Sequence, residues 1–228
     1  MKKIKYFTRT ELAIWLSSVL VILSAFFIFD GEKYLNMLAS LIGTTALIFC
    51  AKGNPFGQVL IIIFASLYAY ISLSFKYYGE MITYLGMSLP MAVIALISWL
   101  RNPFKGNKAQ VKVNTITKKE MAFALFLSLV VTWVFYFILK ALGTANLTIS
   151  TVSITTSFFA AYLTFRRSEY FALAYVLNDI VLIIMWSMAM ASSIEYISVV
   201  ICFLVFLVND TYSYINWRKM KVRQQDAE

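Results

Sequence analysis

Asn178-Asp179 and Asn209-Asp210 interrupt two stretches, YVLNDIVLIIMW and FLVNDTYSYINW, that are otherwise largely apolar and aromatic. An ionisable side chain at the centre of a membrane span costs on the order of 2.5–3.5 kcal/mol, so it ordinarily faces a bundle interior or a cavity and marks a functional site. Two amides and two carboxyls suit a polar, flat or cationic ligand. Two carboxyls at one depth can also share a proton, as in a proton-coupled carrier or an intramembrane aspartyl protease, although the Tyr-Asp and Gly-x-Gly-Asp signatures of such proteases flank neither Asp. The alternative is that the four residues tie helices together through interhelical hydrogen bonds. The chain has no His, which removes His metal sites, His-activated nucleophiles and His proton relays. Cys50 and Cys202 stand alone and form no metal-binding or disulfide pattern.

Helical spacing gives each amide an aromatic companion. Asn178 shares a face with Leu182 and Trp186, Asn209 with Tyr212 and Asn216, and Asp210 with Tyr214 and Trp217. Stacking plus hydrogen bonding of this kind fits a flat ring with polar edges.

The elements that must position these residues are membrane spans. Of the 228 residues 61% are hydrophobic and 14% charged, a composition far from that of a soluble domain. Apolar runs of spanning length fall at 11–29, 34–51, 57–75, 80–100, 119–142, 147–165, 169–192 and 194–217. The fold class is therefore all-α and integral to the lipid bilayer, with about eight transmembrane helices. The second and sixth runs are rich in small hydroxylated residues, which suit close helix packing. The net charge of +9 does not indicate nucleic-acid binding, because the basic residues lie between apolar runs. Placing the N-terminus inside puts 17 of the 20 lysines and arginines on the cytoplasmic side and leaves Lys33, Lys76 and Lys140 outside. The expectation is a multi-pass protein of the cell membrane with both termini cytoplasmic. In that topology Asn178 and Asn209 each lie ~12–14 Å from the cytoplasmic edge.

A shift of 118 residues lays the second, third and fourth spans over the sixth, seventh and eighth. Trp99 meets Trp217, Ile62 meets Ile180, Ser74 meets Ser192, Ile97 meets Ile215 and Tyr68 meets Trp186. Four spans separate the two units, so they enter the membrane the same way round, as parallel repeats. The expected organisation is a tail and extra helix over 1–33, a first three-helix bundle over 34–101, a basic loop and linker helix over 102–146, a second three-helix bundle over 147–218, and a basic tail over 219–228. Leu60 and Ile61 fall opposite the first Asn-Asp pair, so the site is asymmetric. The first half offers Gln58 in KGNPFGQ, and Pro90 as a hinge that kinks the fourth span at the depth of the site.

KGNPFG, Trp99 before a basic loop, then FRRSEYFALAYVLNDIVLIIMW and SIEYISVVICFLVFLVNDTYSYINW before a basic tail together resemble the PnuC family of vitamin transporters over nearly the whole chain. The resemblance implies a fold similar to that of the SWEET sugar carriers, two parallel three-helix bundles joined by a linker helix. It implies a uniporter rather than an enzyme, carrying nicotinamide riboside by facilitated diffusion and alternating access, with phosphorylation by a cytoplasmic kinase trapping the substrate for NAD biosynthesis. Thiamine, riboflavin or a nucleoside, or proton coupling, are the alternatives within the family. The resemblance places Asn178 at the substrate-facing Asn of its helix and Asn209, Tyr212 and Trp217 on the family's final helix. Many members carry a W-x-x-W pair before that Asn; here Phe171 and Ala174 stand in its place, and Trp186, Tyr175 or Tyr170 are left to supply stacking. The candidate binding set is Asn178, Trp186, Asn209, Tyr212, Gln58, Asp179, Asp210, Tyr68, Tyr175 and Trp217. No cofactor or metal is expected, no Gly-rich nucleotide loop is present, and the partner is a small molecule, bound by a monomer or a homo-oligomer.

Overall fold

A computed structural model describes residues 6–31, 34–74, 78–191 and 194–227. Lys2, Lys3, Lys5, Lys33 and Lys76, used for orientation, and Ser192, used in the repeat, lie outside the described residues. Eight helical spans among those described are long and apolar enough to cross a membrane, and their bounds fall close to the hydrophobic runs. They are α1 (Arg9–Ala25), α2 (Tyr34–Ala51), α3 (Phe56–Ser74), a fourth span made of α4 (Tyr78–Thr83) and α5 (Leu89–Arg101), then α6 (Lys118–Ala141), α7 (Leu147–Phe165), α8 (Phe171–Met190) and α9 (Ile197–Gln225). One end of the bundle carries Lys52, Arg101, Arg166 and the last turns of α9, and is called the basic end here; the other is the far end.

Local chemistry sets the starts and the irregularities. The Thr8 hydroxyl accepts from the Glu11 amide at 3.2 Å and the Glu11 carboxylate accepts from the Thr8 amide at 2.7 Å, a capping box that starts α1. At α6 the Thr117 hydroxyl caps the helix by accepting from the Glu120 amide, without the reciprocal bond. Pro90 has no N–H to give, and the chain accommodates it with a wide π turn over Tyr84–Ser88, where the Leu89 amide reaches Tyr84 O and α5 begins afresh with Pro90 in its first turn. The expected kink is thus a change of helical register.

α3 packs between α2 and α5, and α8 between α7 and α9, which makes the two triplets. They meet along two seams, α2 on α9 and α5 on α7, while α6 lies on α7 and α1 covers the α2–α9 seam. Small residues let the backbones approach. A Cβ added at Gly43 of α2 would stand 2.7 Å from Phe206 of α9 and 3.0 Å from Phe64 of α3. Half of α2's apolar window is buried, against 22% for α1 and α6, which leave most of theirs outward.

The last helix of each triplet reaches the first helix of the other. Trp99 donates Nε1 to Thr164 O at the end of α7 (2.9 Å), and Trp217 donates Nε1 to Cys50 O at the end of α2 (2.8 Å). The internal repeat is visible in this exchange.

The basic loop has structure that its charge concealed. Strands β1 (Pro103–Phe104) and β2 (Asn107–Val111) form a hairpin turned at Lys105 and Gly106, both at positive φ, the backbone of a tight two-residue turn. The following residues strap the basic end. The Val111 amide donates to Gly53 O at 2.9 Å, Asn114 to Arg167 O at 2.9 Å, and Val113 to the Gln224 side chain at 2.8 Å. The tail after Trp217 accordingly continues as helix to Gln225, because Met220 and Gln224 have this strap to pack and bond against.

Candidate functional site

A cavity of about 430 Å³ lies between the triplets, within the ~300–1,000 Å³ usual for small-molecule sites. Its wall reaches the far-end connection Leu142–Asn146 and stops at Phe171 and Cys50 toward the basic end. Below that floor Trp99 and Trp217 are fully buried with ring centroids 5.4 Å apart, and Phe171 sits edge-on to Trp217 at 4.7 Å. At the far end Gly79 of α4 allows a close approach, since a Cβ there would fall 2.2 Å from Thr144 Oγ1.

The amide of the first Asn-Asp pair is held from behind. Asn178 Oδ1 accepts from Thr156 Oγ1 at 2.7 Å and Ser157 Oγ at 2.8 Å, two hydroxyls of α7. The small polar residues of this helix therefore orient an amide whose Nδ2 forms no hydrogen bond within the described chain. Gln58, the first-half contribution, lines the cavity near its floor, 3% exposed, with Nε2 on Cys50 Sγ at 3.4 Å.

Asp179 of α8 and Asp210 of α9 bring their carboxyls close to each other. Asp179 Oδ2 and Asp210 Oδ1 are buried without a partner among the described residues, and both residues line the cavity. Tyr175 stands beside them on the wall, and Trp186 lines the cavity higher up, its ring 5.4 Å from that of Tyr196.

The structure thus gathers Asn178, Asp179, Asp210, Gln58, Tyr175 and Trp186 around one space. It places the other four sequence candidates elsewhere. Asn209, 1% exposed, turns to α1 and donates Nδ2 to Ser18 Oγ at 2.9 Å. Tyr212 donates to Glu11 at 3.2 Å. Trp217 belongs to the plug beneath the floor, and Tyr68 packs behind Tyr84 at 5.2 Å. The register of α9 explains the division, because Asn209 and Asp210 are one step of about 100° apart on the helix and face different neighbours. Tyr170 packs against the buried group at the basic end, and Ala174 is 4% exposed within it.

Glu80 and Tyr84 are wall residues that the sequence reading did not single out. Glu80 opens a helix next to a connection, where a carboxyl reads as an ordinary water-facing start; its spacing to Tyr84, i to i+4, was the available signal. Among the described residues lining the cavity, three bear carboxyls and none is Lys or Arg.

Comparison with known proteins places this geometry. Residues 33–219 match the model of the family described as nicotinamide mononucleotide transporter. The chain is 31% identical over 216 residues to the nicotinamide riboside transporter PnuC of Neisseria mucosa, covering 92% of this chain and 82% of that protein. It is 22% identical over 211 residues to the nicotinamide riboside transporter PnuC of Haemophilus influenzae, covering 92% and 90%. The crystal structure of the vitamin B3 transporter PnuC superposes with a TM-score of 0.83 at 26% identity, over 96% of this chain and 94% of that one.

Proposed function

We propose that this chain, which belongs to the nicotinamide mononucleotide transporter family, carries nicotinamide riboside across the plasma membrane by facilitated diffusion, with both termini in the cytoplasm. The observation that carries the reading is the charge of the cavity wall: Glu80, Asp179 and Asp210 with no Lys or Arg among the described lining residues. Nicotinamide riboside is a pyridinium cation, which such a wall attracts. Its phosphorylated form carries an anion that this wall offers no cation to meet, and burying an unpaired anion is costly. The family is described by the mononucleotide and its relatives are named for the riboside; the wall favours the riboside. Asn178 and Gln58 supply amide contacts to ribose hydroxyls or the carboxamide, and Trp186 and Tyr175 supply ring faces where the family's Trp pair is replaced by Phe171 and Ala174. Alternate exposure of the cavity comes from rocking of the triplets, parting the Trp99–Trp217 plug on the cytoplasmic side and the Gly79–Thr144 contact on the other, with the register change ahead of Pro90 as a hinge. Kinase phosphorylation inside the cell then holds the product in its anionic form.

The test is uptake of labelled riboside and mononucleotide into liposomes containing the purified protein. The riboside is expected to equilibrate without any ion gradient, the mononucleotide to stay outside, and accumulation to require an enclosed kinase with ATP. Equal transport of both compounds overturns the substrate. The carboxyl contact between Asp179 and Asp210 favours proton coupling as a second reading; accumulation above equilibrium driven by a pH gradient alone would establish it in place of uniport. The family is one of transporters, so the pair serves transport rather than peptide hydrolysis.

A further inference from the structure

The far half of the cavity holds a carboxyl that the two Asn-Asp pairs do not account for. Glu80 and Tyr84 lie one turn apart, on the same side of the fourth span, and both line the cavity. Ser72 of α3 stands beside Glu80, and none of the ion pairs among the described residues involves Glu80. Tyr84 is backed by Tyr68 at 5.2 Å and Phe64 at 6.2 Å. Trp186 of α8 and Tyr84 rest on the same apolar group, which includes Phe64, Phe203 and Phe206. The deeper pair, Asp179 and Asp210, face each other, whereas Glu80 meets no charged side chain in an ion pair among the described residues.

A carboxyl in an apolar, aromatic wall carries a desolvation cost that a neutral ligand does nothing to offset and a cationic ligand does. Aromatic faces add to the same preference, since their quadrupoles attract a desolvated cation. A ring held in this half of the cavity therefore meets one carboxyl and two π faces, and its charge decides how much it gains.

We propose that Glu80 is a specificity-determining residue that selects a positively charged ring and holds it between Tyr84 and Trp186 in the far half of the cavity. This rests on the reading of the substrate as a cationic riboside, and it assigns the choice of charge to one side chain.

The experiment measures calorimetric binding of 1-methylnicotinamide, a cation, and nicotinamide, its uncharged counterpart, to the purified full chain and to Glu80→Gln and Glu80→Asp. Glutamine keeps the shape and a hydrogen-bonding group toward Ser72 while removing the charge. The wild type is expected to prefer the cation by about tenfold or more, and Glu80→Gln to bring the two within about twofold by weakening the cation alone. Glu80→Asp, which withdraws the carboxyl by one methylene, is expected to lose part of the cation's advantage with nicotinamide unchanged, and it carries the test on its own if the glutamine variant does not fold. An unaltered preference in both variants, or a wild type without preference or without binding of either ring, overturns the proposal. Riboside uptake is measured beside it. A Glu80-dependent preference without riboside transport sinks the substrate reading and leaves the role of Glu80, whereas riboside transport with preference intact in both variants sinks the role of Glu80 alone.

Discussion

The indoles of Trp99 and Trp217 meet at 5.4 Å, and each donates its N–H to the final turn of the opposite triplet's first helix, Trp99 to Thr164 O and Trp217 to Cys50 O. One contact thereby closes the basic end from both sides. Because the two bonds are equivalent under the repeat, Trp99→Phe and Trp217→Phe are expected to lower stability by a similar amount. That is about 1 kcal/mol for the lost hydrogen bond plus the small volume deficit, read as matched decreases in Tm. Both variants are also expected to raise the rate at which Cys50, just above the plug, reacts with an impermeant thiol reagent added from the basic side. A large decrease in one variant and none in the other counts against the symmetric plug.

Gly79 and Gly86 lie in the fourth span, and only Gly79 meets a close neighbour. Its missing Cβ would stand 2.2 Å from Thr144 Oγ1 and 3.1 Å from Leu139, whereas at Gly86 the nearest atom is 3.8 Å away. Gly79→Ala is expected to force the Leu142–Asn146 connection outward, weaken far-end closure and reduce transport several-fold. Gly86→Ala is expected to leave transport intact and to match or exceed wild-type stability by up to about 1 kcal/mol, since alanine is the better helix former. Comparable loss of transport in the two variants removes the far-end role of Gly79.

The eight spans were legible because bilayer thickness fixes the length of a hydrophobic run, and the parallel repeat because Trp99 and Trp217 survived at matching positions. The carboxyls of the two Asn-Asp pairs, Asp179 and Asp210, do come together. That both members of the first pair but only Asp210 of the second line the cavity was not legible, since it depends on rotation about the helix axis, and α1, an addition to the repeat, decides it for α9 by presenting Ser18 to Asn209. The hairpin over 103–111 was hidden for a related reason: its one fully buried apolar side chain, Val111, packs against residues distant in sequence, including Met220, and not against a local pattern. Glu80 was not singled out, because nothing local distinguishes its carboxyl from one at an ordinary helix start, and only the tertiary arrangement turns it to the cavity.

The ion pair that anchors α1 makes a further expectation. Lys52 Nζ lies 3.0 Å from both oxygens of Glu11, which is 2% exposed while Lys52 is 17% exposed, and Lys52 also covers the Tyr6 ring at 4.9 Å. Lys52→Met strands a buried carboxylate and is expected to cost about 3–5 kcal/mol. Glu11→Gln costs less, because the lysine reaches water. The double variant is expected to be more stable than Lys52→Met alone, a sign of coupling that thermal melts of the four proteins measure directly. Strict additivity contradicts the pairing.

Asn178 and Asn209 separate ligand contact from helix attachment. Asn178 lines the cavity and is oriented by Thr156 and Ser157, so Asn178→Ala is expected to reduce riboside transport by about tenfold or more, the cost of about one to two hydrogen bonds. Stability changes by no more than about 1 kcal/mol, because Thr156 has the carbonyls of Val152 and Ser153 as other acceptors. Asn209 is bonded to Ser18 and to Val205 O and lies off the cavity wall. Asn209→Ala is expected to lower Tm by the equivalent of about 1–3 kcal/mol, the cost of leaving α1 without its partner, while the KM for the riboside stays within about twofold of wild type. Uptake kinetics and melting curves of both variants thus cross, one losing transport and the other stability. If Asn209→Ala raises KM as strongly as Asn178→Ala does, Asn209 reaches the substrate in another state of the transport cycle, and the second amide returns to the binding site.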